Sequence, residues 1–118
     1  MKYVCLIYND ERLWTTLSPE DGKKLNEEYG AYTQSIRTSG HYLSGEPLDP
    51  TQSASTVRVR NGKISTTDGL FAETKEQLGG YYLIEATDLN DAIQVAARIP
   101  GARTGAIEVR PVMKYTMP

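Results

Sequence analysis

Two short segments set the terms for everything else in this chain. From Tyr3 to Tyr8 the sequence reads Tyr-Val-Cys-Leu-Ile-Tyr, and from Gly80 to Ala86 it reads Gly-Tyr-Tyr-Leu-Ile-Glu-Ala. Successive side chains of a strand point to opposite faces, so strands that are apolar at nearly every position need cover on both sides. The two segments therefore predict the central strands of a sheet, and any fold must say what covers each face.

Two helices are marked out between and after them. Ser18-Pro19-Glu20-Asp21 has a serine N-cap, proline at the first helical position and acidic residues facing the dipole. Leu25, Tyr29, Tyr32 and Ile36 then recur at helical spacing as an apolar, tyrosine-rich stripe, and Gly40 closes the helix. Tyrosines so placed read as amphipathic core rather than ligand contacts. Thr87-Asp88-Leu89-Asn90-Asp91 caps a second helix with a stripe of Leu89, Ala92, Ile93, Ala96 and Ala97, stopped by Pro100-Gly101.

The remaining segments are shorter. Asn9 to Thr16 is a polar connection whose Leu13 and Trp14 fold back onto the body or a partner as packing groups. His41 to Leu48 reads as a strand running into a turn closed by Pro50. Thr56 to Arg60 alternates, Asn61-Gly62 supplies the favoured two-residue turn and Lys63 to Thr66 returns, a hairpin with few apolar contacts that reads as a half-exposed edge or an excursion from the main sheet. Ala106 to Val112 is the last strand, with Glu108 and Arg110 opposite Ile107 and Val109.

The order strand, helix, strand, hairpin, strand, helix, strand predicts an α+β fold: a ferredoxin-like split β-α-β sandwich with an inserted β-hairpin. Its two helices cover one sheet face. A second copy, packed sheet to sheet as an isologous homodimer, covers the other and makes a dimeric α+β barrel. A chain of 118 residues with 39% hydrophobic content fits one domain whose apolar surface a partner completes. The net charge of -2, with no basic face or arginine-rich run, argues against a nucleic-acid partner. No apolar run approaches the ~20 residues that span a bilayer, and Met1-Lys2-Tyr3 opens into strand pattern without a signal h-region. With the single Cys5 in an apolar run, these features predict a cytoplasmic protein without membrane attachment.

Between the hairpin and the second central strand lies the densest polar information: Asp68-Gly69, then a loop with Phe71, Glu73, Lys75 and Glu76, then Gly79-Gly80. A loop anchored by two strands is a usual place to present binding groups. Asp68, beside glycine at a strand end, has two readings, as a base or ligand acceptor and as an Asx-type turn former. His41, the single histidine, is the natural recruit for acid–base work near pH 7, or equally a cation on a helix C-terminus. Asp68, His41 and Glu73 are thus the candidate catalytic groups, and Phe71, Lys75, Arg110 and Tyr82 the candidate ligand contacts. Glu73, Lys75 and Glu76 also read as a solvated charge run. No metal-ligand cluster, phosphate loop, dinucleotide fingerprint or nucleophile elbow is present, so no cofactor is expected.

The run from Asp68 to Tyr82, together with Ser44-Gly45-Glu46-Pro47-Leu48, Val57 to Lys63 and Glu108-Val109-Arg110-Pro111, resembles the YCII-related proteins of the DGPF type across nearly the whole chain. The resemblance implies a single such domain over residues 1–118, with the ferredoxin-like dimeric barrel argued above. It further implies either an enzyme acting on a small organic molecule or a non-catalytic ligand-binding or regulatory module associated with sigma factors. Two departures stand out. Leu70 replaces the motif's proline and frees its φ. The His–Asp pair of the shorter YCII branch has no counterpart, since the first helix lacks histidine and Ile99 precedes Pro100.

Overall fold

The computed structural model describes residues 1–114. In chain order it runs β1 (Lys2–Asn9), a one-turn helix α1 (Arg12–Thr15), α2 (Pro19–Thr38), β2 (Tyr42–Pro47), β3 (Ser55–Arg60), β4 (Lys63–Asp68), β5 (Gln77–Glu85), α3 (Leu89–Ala97) and β6 (Ala106–Pro111), with 3-10 turns at Thr51–Ser53 and Pro100–Arg103. It is a mixed α+β chain with antiparallel pairing throughout. The main sheet has the order β2-β5-β1-β6, so the two doubly apolar strands are central, and β3-β4 forms a separate ribbon.

Local chemistry accounts for the ends of these elements. The Ser18 hydroxyl accepts from the Asp21 N–H at 3.1 Å, and Pro19 opens α2. At its far end Gly40 takes φ +81° while the His41 and Gly40 N–H groups return to the Ile36 and Arg37 carbonyls, the double bond that closes a Schellman end. Asp88 caps α3 by accepting from the Asp91 N–H at 2.8 Å. Asn61 and Gly62 both have positive φ, as a two-residue type I′ hairpin turn demands.

Both long helices lie on the sheet face that carries Tyr3, Cys5 and Ile7 of β1 and Tyr82 and Ile84 of β5, and these residues form one core with Tyr32, Ile36, Ala92, Val95, Ala96 and Ile99. Cys5, at 0% exposure, is a free thiol in the middle of that core, and burial pushes its pKa up to about 11. The α3 stripe differs from the sequence expectation. Ala92, Val95 and Ala96 are buried while Leu89, Ile93 and Ala97 are exposed, because the helix is turned to present Val95, with Ile99 just beyond its end, to the core.

The opposite sheet face is also apolar along its centre. Register places Val4 beside Leu83 and Leu6 beside Tyr81, with Arg110 and Glu108 on the outer side of the same two β1 residues. Arg110 and Glu108 pair with each other at 2.5 Å. The molecule is 19 Å along its shortest axis, which one sheet and one helix layer fill between them. The ribbon leaves this body as an arm in which Val57, Val59 and Ile64 are all exposed. A radius of gyration of 16.4 Å, against about 13–14 Å for a compact chain of this length, reflects that projection.

Candidate functional site

The N-terminal half of α2 does not close onto the sheet. Its apolar stripe divides: Tyr32 and Ile36 are buried, whereas Leu25 and Tyr29 wall a cavity of about 520 Å³ whose other sides are β2, the start of β5, the end of β1 and α1. That volume is within the range of small-molecule sites. Three glycines lie on its wall. Gly30 sits inside α2 with nothing within 4 Å of where a Cβ would be, so any side chain there would begin to fill the space. A Cβ on Gly45 would come within 2.8 Å of the Tyr82 ring, so its absence lets that ring lie over β2. Gly80 likewise has the Glu46 carbonyl 3.0 Å from its would-be Cβ.

A register shift sets one polar contact of the wall. Ile7 faces Gly80 but Tyr8 faces Leu78, so Gly79 is an extra residue in β5 and Gln77, not Leu78, comes opposite Asn9 on the cavity side. The Gln77 side-chain amide oxygen Oε1 accepts from the Glu11 N–H at 2.9 Å. The Glu11 carboxylate accepts from the Thr51 N–H and the Thr51 hydroxyl, each at 2.7 Å, joining the end of β1 to the connection after β2. Beside it the Arg12 guanidinium holds the Asp10 carboxyl down at about 2. Tyr82 and Thr33 share a hydroxyl–hydroxyl bond of 2.7 Å, and the Tyr29 hydroxyl accepts from the Gly101 N–H at 3.1 Å. Burial raises the pKa of both phenols, so at neutral pH they are uncharged donors. Glu46, on the exposed edge strand, pairs in register with Tyr81, so its side chain leaves the strand on the sheet face away from α2, while Trp14, Leu48 and Pro50 stand at the rim.

Of the seven residues singled out in the sequence, Tyr82 lines this cavity and the other six do not. Asp68 ends β4 in register with Ser55, exposed, and its carboxylate makes no hydrogen bond among the described residues. The neck of the arm is closed instead by the Gly69 N–H donating to the Ala54 carbonyl at 2.7 Å, with Gly69 at φ +93°. Phe71 is 71% exposed and carries the Arg58 guanidinium 4.8 Å from its ring centre. Glu73 and Lys75 are exposed on the loop, and Arg110 is held by Glu108 on the open sheet face. Sequence reasoning passed over Gly30, Tyr29 and Glu11 as wall residues. A glycine inside an otherwise well-capped helix was the signal available.

His41 joins a different cluster. Its Nε2 lies 3.1 and 3.2 Å from the Asp91 carboxylate oxygens, its Nδ1 lies 2.7 Å from the Ser39 hydroxyl, and that hydroxyl reaches the Ile36 carbonyl. The Thr87 N–H and hydroxyl also donate to Asp91. The cluster ties the end of α2 to the start of α3 and does not touch the cavity. The Thr87 backbone N–H, then His41, lower the Asp91 pKa below its ordinary 3.8. A carboxyl depressed by folding contributes stability above its unfolded pKa and loses it as pH falls through the folded value. The urea-midpoint gap between the wild type and Asp91→Asn is therefore expected to be full at pH 7 and to close in acid; a gap constant with pH would contradict an ionised clasp.

Among the described residues no three His, Cys, Asp or Glu side chains converge on one point, and no helix is long and apolar enough to cross a membrane. Fold and cavity together define a small α+β protein with an organic-molecule-sized recess between one helix and the edge of its sheet. The chain belongs to the YCII-related domain family, whose model matches residues 1–116. It is 37% identical over 117 residues to an uncharacterised protein of Rhizobium meliloti (strain 1021), an alignment that covers 98% of this chain and 94% of the other.

Proposed function

We propose that this protein binds a small organic molecule in the cavity between α2 and the β2–β5 edge. The observation that carries the reading is the cavity itself: about 520 Å³ of space into which the Cβ-less Gly30 opens, apolar over most of its wall and set with a few hydroxyl and amide groups. Binding without turnover is the version the geometry favours. Glu11 is engaged by Thr51, the phenols are uncharged, and the proposed catalytic groups Asp68, His41 and Glu73 are not on the wall.

The same proposal extends to architecture. The strand order β2-β5-β1-β6, with each long helix crossing one intervening strand, supports a ferredoxin-like single domain. The apolar row of Val4, Leu6, Tyr81 and Leu83 on the sheet face away from the helices supports a homodimer closed sheet to sheet. The buried free thiol of Cys5 supports a cytoplasmic setting.

Gly30 supplies the test. Gly30→Ala is expected to stabilise the protein by about 0.5–1 kcal/mol through helix propensity alone, since the Cβ meets nothing. Gly30→Leu is expected to keep the fold and to abolish the thermal shifts that small aromatic compounds give with the wild type. A Gly30→Leu protein that folds and still shows those shifts would place binding elsewhere.

A further inference from the structure

We propose that the cavity takes a neutral molecule whose polar group is a hydrogen-bond acceptor, a ketone, ester or ether oxygen on a small apolar or aromatic body. The proposal rests on the cavity reading above and adds the chemistry of the ligand's polar group. A hydroxyl carries one proton to donate and can accept as well. Thr33 and Tyr82 share a single bond of 2.7 Å, and neither hydroxyl has another partner among the described residues. Two protons therefore serve one bond, and one is left over whichever group donates. The Tyr29 hydroxyl accepts from the Gly101 N–H and donates to nothing among the described residues, so its proton is left over too.

These groups stand in the gap that the cavity occupies. On α2 the wall residues Leu25, Asn26, Tyr29, Gly30 and Thr33 share one helical face, and Thr33 is the last of them. Tyr82 rises from the side of β5 that packs under α2, its ring edge-on to Tyr32, and meets Thr33 between helix and sheet. The Tyr29 hydroxyl lies where two other wall residues converge: a Cβ on Gly101 would be 2.8 Å from it, 2.9 Å from Asn9 Nδ2 and 3.0 Å from Ile7 Cγ2. The inner acceptors of the wall are already engaged. Thr51 holds the Glu11 carboxylate oxygens, the Glu11 N–H holds Gln77 Oε1, and the Thr104 hydroxyl holds Asn9 Oδ1. What the wall has to spare is donors. No Lys, Arg or His lines it, so an acceptor that was also an anion would enter without a counter-charge. A neutral oxygen takes the free protons at no such cost.

Titration followed by NMR with acetophenone, ethylbenzene and benzoate holds the ring constant and varies the polar group. At pH 7 acetophenone is expected to bind about tenfold more tightly than ethylbenzene, the worth of two ordinary hydrogen bonds, with benzoate weakest. The double variant Thr33→Val/Tyr82→Phe removes both partners of one bond and leaves neither unpaired; it is expected to cut that preference to about threefold without weakening ethylbenzene. Acetophenone binding no more tightly than ethylbenzene in the wild type, or keeping its full preference in the double variant, would overturn the donor assignment while leaving the cavity as the site. Benzoate binding as tightly as acetophenone would overturn the neutrality. Acetophenone binding that survives Gly30→Leu, or no binding of any of the three at millimolar concentration, would overturn the cavity reading itself.

Discussion

Replacing Gly105 by alanine is expected to lower the unfolding free energy by about 3 kcal/mol and the melting temperature by about 10 °C. A Cβ at this position would overlap the Tyr8 backbone carbonyl and come within 2.8 Å of the Asn9 side-chain amide. Neither neighbour has room to retreat. Tyr8 lies in β1, bonded on one side to β5 and on the other to β6, where it faces Ala106. Asn9, the buried polar residue of the core face, accepts from the Thr104 hydroxyl at 2.6 Å and donates to the Gly101 carbonyl. The added methyl has to push β6 off β1 or break that polar knot. Gly30→Ala, the same change made where space is open, is the control. Chemical denaturation showing Gly105→Ala within 0.5 kcal/mol of the wild type would mean that the turn between Pro100–Arg103 and β6 is far more compliant than its contacts imply.

The second large effect concerns the sheet face away from the helices. If the proposed sheet-to-sheet dimer forms, Leu83→Asp is expected to leave a monomer at micromolar concentration, weakening association by at least about a hundredfold. Leu83 lies between Val4 and Ser44 in the register, with no cation opposite it. A twofold interface repeats the change, so two uncompensated carboxylates would be buried together. The single chain tolerates the substitution better, because Leu83 is only half-buried before pairing. Sedimentation equilibrium reads the result. A wild type that is monomeric at these concentrations, or a Leu83→Asp protein that still dimerises, would refute the sheet-to-sheet arrangement.

Elements governed by neighbours in the chain were readable in advance. The Ser18-Pro19 start, the Gly40 end, the Asn61-Gly62 turn and the two doubly apolar strands each depend on a few adjacent residues, and all are found as the sequence implied. The cavity was not readable, because it is a property of packing between segments far apart. Leu25, Tyr29, Tyr32 and Ile36 have identical periodicity, and only the approach of β2 and β5 decides that the last two are core and the first two wall. Likewise His41 meets Asp91 across 50 positions, a contact that no spacing rule reports. The charged loop after Asp68 drew notice for its composition. Its side chains point to solvent, where mixed charge is the ordinary state of a surface.

The place of Cys5 gives the molecule a built-in clock. It is the chain's one sulfhydryl, walled in at the midpoint of the central strand and held in its unreactive protonated form. An alkylating reagent therefore reaches it only when that strand comes out of the sheet, and the labelling rate counts such openings at a single atom. Ligand occupancy, partner exchange and substitution each become measurable by how they slow or hasten that count, without any reporter having to be introduced.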